Sequence, residues 1–301
     1  VHNYGRGGSG WSLSWGSGQL AVEMARQTGR NEIAVIGCGA IGLTTAVVAQ
    51  QAGMKVTIYA KERPPYARSH RATGAWTPDS RICSAQFAPG FASQWEQMAR
   101  YSFRRYQSLL GLAGDPSEWR DMYRLSDLPP GAPRPERESN EPDYPNFVDE
   151  LIPDITPRAV EVASHPFPAP YVRRSSTLLF NIASYTRLLM ADFFANGGVM
   201  ETYVLEDRSD FNAVDERTII NCTGYGARAL LADDSIIPVR GQTAADGNSP
   251  FVKRGRKMQC FYRSPNSVRC LIYSIRITGI QKENHLFAAE SYCNITASCL
   301  L

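Results

Sequence analysis

Four consecutive apolar residues, Ile33 to Ile36, lead into a glycine-punctuated turn, and small and apolar residues then dominate from Leu43 to Ala52. A short apolar run bounded by turn signals predicts a strand buried on both faces; the longer run predicts a helix packed on it. Gly53 stops that helix and Val56 to Tyr59 begin a second buried strand, so the order is βαβ with parallel strands. Further on, Gln94 to Leu112 carries Trp95, Met98, Tyr106, Leu109 and Leu110 on one helical face, with small Ser102 between them. Arg100 and Arg104 project from the opposite face and Arg105 flanks the stripe, all three expected in solvent. Ser184 is placed to cap a helix from Tyr185 to Ala195, which Asn196-Gly197-Gly198 ends. Strands follow at Val199 to Leu205 and Thr218 to Asn221. Near the start, Gly18 to Thr28 predicts a helix between a Ser17 cap and a Gly29 stop. Asp115 to Asp143, rich in Pro, Glu, Asp and Arg, predicts an irregular surface segment, and His165 between prolines is expected to be structural.

The turn after the first strand reads Gly37-Cys38-Gly39-Ala40-Ile41-Gly42, a G-x-G-x-x-G sequence set between a strand and a helix. In that context each glycine has a physical reason: a tight turn, close approach of backbone to a pyrophosphate, and close helix–strand packing. The helix N-terminus then offers N–H groups and its dipole to phosphate. A carboxylate is expected about 20 residues on, at the end of the second strand, to hold a ribose. Here the strand ends at Tyr59-Ala60, Lys61 follows, and Glu62 lies just past the end before Arg63-Pro64-Pro65. That pattern disfavours an ordinary NAD dehydrogenase, which stays as an alternative.

Bulk composition narrows the remaining classes. The 301 residues, 43% apolar and 20% charged, suit a globular protein with a large core and room for two domains. A net charge of +3, with no basic block interleaved with aromatics, gives no reason to expect nucleic acid. No apolar run reaches the roughly 18 residues of a membrane span. The seven cysteines include no C-x-x-C pair; Cys38 and Cys222 fall in core turns and read as free thiols.

The first residues, VHNYGRGGSGWSLSWGS, form a loop whose Gly5, Gly7, Gly8 and Gly10 allow a backbone to approach a flat ligand. The string H-N-Y-G-x-G-G-x-G followed by Trp-Gly resembles a signature of the D-amino-acid oxidase and D-aspartate oxidase family. There it lies near the C-terminus and binds flavin. Here it precedes the G-x-G-x-x-G strand, so the chain is expected to be circularly permuted relative to that family, with Gly29 to Glu32 as the short joining segment. Ala72-Thr73-Gly74-Ala75-Trp76 resembles the family's flavin-side loop, with Arg68 and Ser69 just before it. Asn221-Cys222-Thr223-Gly224, followed by Gly226-Ala227-Arg228 and by Pro238-Val239-Arg240-Gly241-Gln242, is similar to the family's return to the FAD sheet. Asn221-Cys222-Thr223 also spells a glycosylation sequon, for which a buried strand end is a poor acceptor.

The resemblance implies an α/β fold: a Rossmann-like FAD-binding domain with a second substrate domain, incomplete or divergent. Residues 1–82 would supply FAD-binding segments, 83–170 the helical and irregular part of the substrate domain, 171–243 the return to the FAD domain, and 244–301 a divergent tail. It implies non-covalent FAD. Backbone at Gly7 and Gly8 would lie near the flavin pyrimidine, with Gly10, Trp11 and Ser12 continuing that edge. Gly37, Cys38, Gly39, Ala40, Ile41 and Gly42 would cradle pyrophosphate, with Arg68 and Ser69 also on the pyrophosphate and Thr73, Gly74 and Ala75 on the flavin side. Val204, Cys222, Thr223 and Gly224 would line the adenosine side. The implied reaction is oxidative deamination of a D-amino acid by hydride transfer to flavin, with oxygen as acceptor and hydrogen peroxide, ammonia and a 2-oxo acid as products. No side-chain base is required and no metal is implied. A homodimer is possible, and the family's settings are soluble, cytoplasmic or peroxisomal.

After Gln242 the resemblance is expected to stop, although Cys270 to Ile275 and Leu286 to Ala289 could form short elements. The family binds the substrate carboxylate with an arginine in a Gly-x-Arg-Pro context, and no arginine of this chain has it. The chain as given is therefore expected to turn over D-amino acids poorly, which leaves an impaired FAD-binding remnant as the alternative to an active oxidase.

Overall fold

The computed structural model describes residues 1–129, 131–132, 143–148, 158–160, 167, 169–236, 242–245, 258–262 and 271–274. The chain divides into two compact units. The first comprises Val1–Glu118, Asp143–Leu151 and Leu178–Pro238; the second comprises Trp119–Pro142, Ile152–Thr177 and Val239–Leu301.

The first unit is built on a parallel sheet in the order β6-β2-β1-β7, with β1 Glu32–Ile36, β2 Lys55–Ala60, β6 Val199–Thr202 and β7 Thr218–Asn221. Val35 lies opposite Ile58 on one side and Ile220 on the other. All three are buried, as expected for strands covered on both faces. Val1 to Asn3 extend this sheet beyond β7: His2 bridges Asn221 in parallel, and Asn3 N–H donates to the Asn221 carbonyl at 2.8 Å. Helix α2, Ala40–Gln51, follows β1, three residues earlier than the hydrophobic run predicts, because Gly39 N-caps it directly from the turn. Gly53 adopts φ +84° and ends the segment as its sequence position requires.

Helix α1 corrects the reading of the first residues. It spans Gly10–Arg26 rather than Gly18–Thr28, so Gly10, Trp11 and Ser12 form its first turn instead of a loop edge. The expected Ser17 cap is a buried mid-helix residue. The glycines that suggested a loop serve packing: a Cβ on Gly16 would run into the Met98 backbone, and one on Gly18 would meet Thr45 at 3.3 Å. These approaches set α1 against α3, Ala88–Gln107, and against α2.

The expected face of α3 is buried at Trp95, Met98, Ser102 and Tyr106, but the helix ends before Leu109. Arg100 pairs with Glu96 at 2.7 Å on the exposed face. Arg105 is not simply solvated: its guanidinium lies 4.2 Å from the centre of the Trp15 ring. Helix α4, Ile182–Ala195, is N-capped by Asn181, whose side chain accepts from Ser184 N–H at 3.2 Å. Ser184, expected as the cap, is therefore in the first turn. The strand after it stops at Thr202, short of Leu205. A short helix, α5 Gly226–Leu230, follows β7.

The second unit contains a six-stranded sheet in the order β4-β5-β3-β9-β10-β8. Its members are β3 Ser117–Ser126, β4 Arg158–Val160, β5 Tyr171–Phe180, β8 Gln242–Ala245, β9 Met258–Tyr262 and β10 Leu271–Ser274. Two expectations are overturned here. Asp115 to Asp143 is not irregular throughout, since ten of its residues form β3. Residues beyond Gln242 are not without order, since β9 pairs with β3, and β10 pairs with both β8 and β9, all antiparallel. The Cys270 to Ile275 run is a strand over Leu271–Ser274. His165 and Leu286 to Ala289 lie outside the described residues. Among the described residues no helix is long and apolar enough to cross a membrane.

Candidate functional site

In an open parallel sheet, ligands sit outside the carboxyl ends of the strands. At that end of β1 the chain passes through Gly37 at φ +103°, a conformation that favours glycine. A Cβ there would also stand 2.7 Å from the Cys222 carbonyl, so the turns after β1 and β7 pack backbone to backbone. Gly42 is equally confined, since its Cβ would collide with the Gly37 carbonyl. Gly39 differs: its backbone is extended, and its Cβ would meet only Ser69 Oγ, at 3.3 Å. Gly37 and Gly42 are thus required by the fold, whereas Gly39 leaves a backbone surface open at the start of α2. The N-cap residue Gly39 offers α2 no side-chain cap, and the first turn of the helix contains no carboxylate.

Residues from three other segments close around this turn. Ser69, in the short 3-10 helix Arg68–Arg71, accepts the Ala40 N–H on its Oγ at 2.9 Å. Trp11 donates its indole N–H to the Ser69 carbonyl at 2.8 Å, which ties the first turn of α1 to the same point. A narrow cleft, too tight for a water molecule, is lined by Trp11, Cys38, Gly39, Ser69, His70 and Thr186, among others. Two polar atoms at this cleft are buried without a hydrogen-bond partner: His70 Nδ1 and Thr186 Oγ1. Thr186, on α4, is 3% exposed. Buried polar groups are ordinarily satisfied, so these two are suited to a ligand group.

The other residues singled out from sequence fall as follows. Gly7 and Gly8 pack on Ser80 and Arg81, and Gly8 N–H donates to the Ser80 carbonyl at 2.7 Å. Ser12 Oγ accepts the Thr77 N–H at 2.8 Å. Gly74, at φ +78°, fits against the Phe180 backbone, and Ala75 bridges Leu179. Thr73 is half-buried beside them, and Ile41 is half-buried at the start of α2. Arg68 is exposed. Val204, two residues past β6, is 43% exposed. Thr223 N–H and Oγ1 both bond to Asn221 Oδ1, at 3.1 and 2.8 Å, and shape the turn that carries Cys222 and Gly224. Asn221 is 2% exposed, as a poor glycosylation acceptor should be. Trp11, Ser69 and the Gly37–Gly42 turn come together directly, with Cys222 packed behind the turn; Arg68 and Val204 are exposed.

Cys38 and Cys222 are free and buried. Burial pushes both thiols up to about 12, with Arg63 partly opposing this at Cys38 and the Thr45 hydroxyl at Cys222. They are neutral packing groups at ordinary pH, not nucleophiles. Thr186 and His70 carry no sequence signal, because their relevance depends on neighbours distant in the chain.

A model of the family described as "FAD dependent oxidoreductase" matches residues 32–273, more than half of the chain. The chain belongs to this family. The match extends through β9 and most of β10, which overturns the expectation that resemblance stops at Gln242. The chain is 27% identical over 221 residues to a D-amino-acid oxidase of Dictyostelium discoideum, covering 71% of this chain and 57% of that one. It is 28% identical over 211 residues to a D-amino-acid oxidase of Streptomyces coelicolor, covering 70% and 58%. It therefore spans less than two thirds of the length of these curated relatives. Among solved structures, iminodiacetate oxidase from Chelativorans sp. BNC1 is similar at a TM-score of 0.51 and 14% identity, covering 85% of this chain and 74% of that one. That likeness concerns the fold alone. For this flavin oxidoreductase family the residues present fit an FAD dinucleotide: a helix start free of acidic residues, the unfilled face of Gly39, and the orphaned Thr186 and His70 atoms. Binding would require the cleft to widen, since it is now too narrow for a water molecule.

Proposed function

We propose that this chain binds FAD non-covalently in its first unit and carries the flavin half of a D-amino-acid oxidase. The observation that carries the reading is the junction of Trp11, Ser69 and Ala40, which joins the HNYG segment to the glycine turn. Two sequence motifs with no linear relation thereby serve one cleft.

In this reading Gly37 to Gly42 present backbone to the pyrophosphate, with Ser69 and Thr186 as hydroxyl partners. Gly7, Gly8, Gly10, Trp11 and Ser12 border the flavin ring, together with Thr73, Gly74 and Ala75, and Arg68 lies on the pyrophosphate side with Ser69. Val204 and Cys222 to Gly224 flank the adenosine. When bound, FAD supplies the acceptor for a hydride from the substrate Cα and passes the electrons to oxygen. The protein's part is to exclude water, hold the ring, and place N–H dipoles where negative charge grows. The substrate class, a D-amino acid, is supported by the names of the curated relatives. Substrate recognition is assigned to the second unit.

The sequence from 1 to 301 lacks an arginine in the Gly-x-Arg-Pro context, and orientation of the substrate carboxylate normally rests on such a bidentate cation. Turnover by this chain alone is therefore expected to be weak. Peroxide release would be followed on the FAD-loaded chain with D-alanine, D-arginine and D-aspartate against their L-isomers. Slow turnover restricted to D-isomers supports the reading. Oxidation of L-isomers at equal or greater rate contradicts it.

A further inference from the structure

Helix α4 and the short 3-10 helix Arg68–Arg71 pack against each other, and each brings one idle polar atom to the cleft at Gly39. From the 3-10 helix it is His70 Nδ1; from α4 it is Thr186 Oγ1. Both atoms are buried, and among the described residues neither has a hydrogen-bond partner. A helical threonine ordinarily directs its hydroxyl to the carbonyl four residues earlier. Thr186 makes no such bond to Ile182, and at 3% exposure its hydroxyl does not reach bulk water. Ser69, the other hydroxyl of the cleft, is by contrast engaged, its Oγ with Ala40 N–H and its carbonyl with the Trp11 indole.

Two buried polar groups left idle in one cleft cost stability unless a ligand engages them. The surroundings indicate the chemistry of that ligand. No residue lining the cleft is acidic, the first turn of α2 holds no carboxylate, and the 3-10 helix also carries Arg68 and Arg71. A threonine hydroxyl donates, and an imidazole donates from Nδ1 when its proton sits there. Two donors at a cleft without carboxylates suit an anionic acceptor, and the N-terminus of α2 at Gly39 favours the same charge.

We propose that His70 and Thr186 form a side-chain clamp that selects the diphosphate of the dinucleotide, His70 donating from Nδ1–H and Thr186 from its hydroxyl to phosphate oxygens. The clamp presupposes the FAD reading above. It adds to that reading a nitrogen donor paired with the α4 hydroxyl, so that phosphate recognition does not rest on the backbone of the glycine turn alone.

Thr186→Val, His70→Phe and His70→Asn in the full chain test the clamp, with FAD, ADP and adenosine as calorimetric probes. Thr186→Val keeps the β-branched shape and removes the hydroxyl; without nucleotide it should melt at the wild-type temperature or above, since an unsatisfied buried group is lost. His70→Phe keeps a ring without a donor, whereas His70→Asn keeps a nitrogen donor near the place of Nδ1. Affinity for FAD and for ADP should fall by the same factor, about 10-fold or more, in Thr186→Val and in His70→Phe, with adenosine affinity unchanged. His70→Asn should retain most of the affinity. A lower melting temperature of nucleotide-free Thr186→Val would mark the hydroxyl as structural and overturn the proposal. A loss confined to FAD, an equal loss for adenosine, or no loss for ADP would also overturn it while leaving the FAD reading in place. A folded wild-type chain that binds neither ADP nor FAD would remove both.

Discussion

Two glycine-rich stretches, the turn after β1 and the segment leading into α1, use their glycines differently. In the turn after β1, Gly37 and Gly42 are pressed against backbone and only Gly39 faces a nearly free surface. In the segment leading into α1, Gly7 and Gly8 pack on Ser80 and Arg81, while Gly5, and Gly10 in the first turn of the helix, have open space. Glycine density alone therefore does not reveal which positions serve a ligand. What a Cβ would meet separates positions fixed by the fold from positions left open.

Substitutions sharpen that contrast, beginning with the most damaging. Gly42→Ala drives a methyl into the Gly37 carbonyl and should destabilise the chain by about 3 kcal/mol or more. Chemical denaturation would register it as a large drop in midpoint; a midpoint close to wild type would break the comparison. Gly39→Ala needs no unusual backbone and little displacement, so the fold should tolerate it. FAD affinity should nevertheless weaken by about 1–3 kcal/mol, because the methyl stands in the phosphate path. Isothermal titration beside a melting curve distinguishes the two effects.

The thiols flanking the first turn give a pH test. Cys38 and Cys222 have folded values raised to about 12 from 9.0. The unfolded chain releases these protons first, so their contribution is fully present below about 9 and is lost as pH rises from 9 to 12. Each thiol should remove on the order of 1 kcal/mol per pH unit in that window. Denaturant midpoints from pH 8 to 11 check the slope, and Cys222→Ala should flatten it. Flat stability across the window would mean that the turn is open to solvent. The smallest effect is expected at the start of α1. Gly10→Ala adds a methyl in open space at the start of α1 and should raise stability by about 0.5–1 kcal/mol. A decrease in melting temperature would show that Gly10 is confined after all.

The legible part of the fold was the part whose signals are local. Ile33 to Ile36, Gly37 to Gly42 and Gly53 define strand, turn and helix stop in sequence order, and the structure places them so. Resemblance carried the family assignment further than periodicity could. The start of α1 was misread because Gly16 and Gly18 look like loop residues, while their function is to let Met98 and Thr45 come close. β3 was hidden because Glu118, Arg120, Asp121 and Arg124 mask a sparse pattern of buried Ser117, Met122 and Leu125. Its partner strand β9 lies more than a hundred residues away, within a segment expected to have no order. Trp11, Ser69 and the glycine turn were anticipated as a group. Thr186 and His70 were not, since an orphaned polar atom can be recognised only once its neighbours are in place.

The central claim, that the cleft at Gly39 holds FAD, is most directly tested by adding excess FAD to the folded chain, separating free flavin by gel filtration, and recording the visible spectrum. The account predicts retained flavin with resolved, shifted bands in wild type and much reduced retention in Gly39→Ala of equal thermal stability. A folded wild-type chain that emerges free of flavin, or equal retention by both proteins, would contradict it.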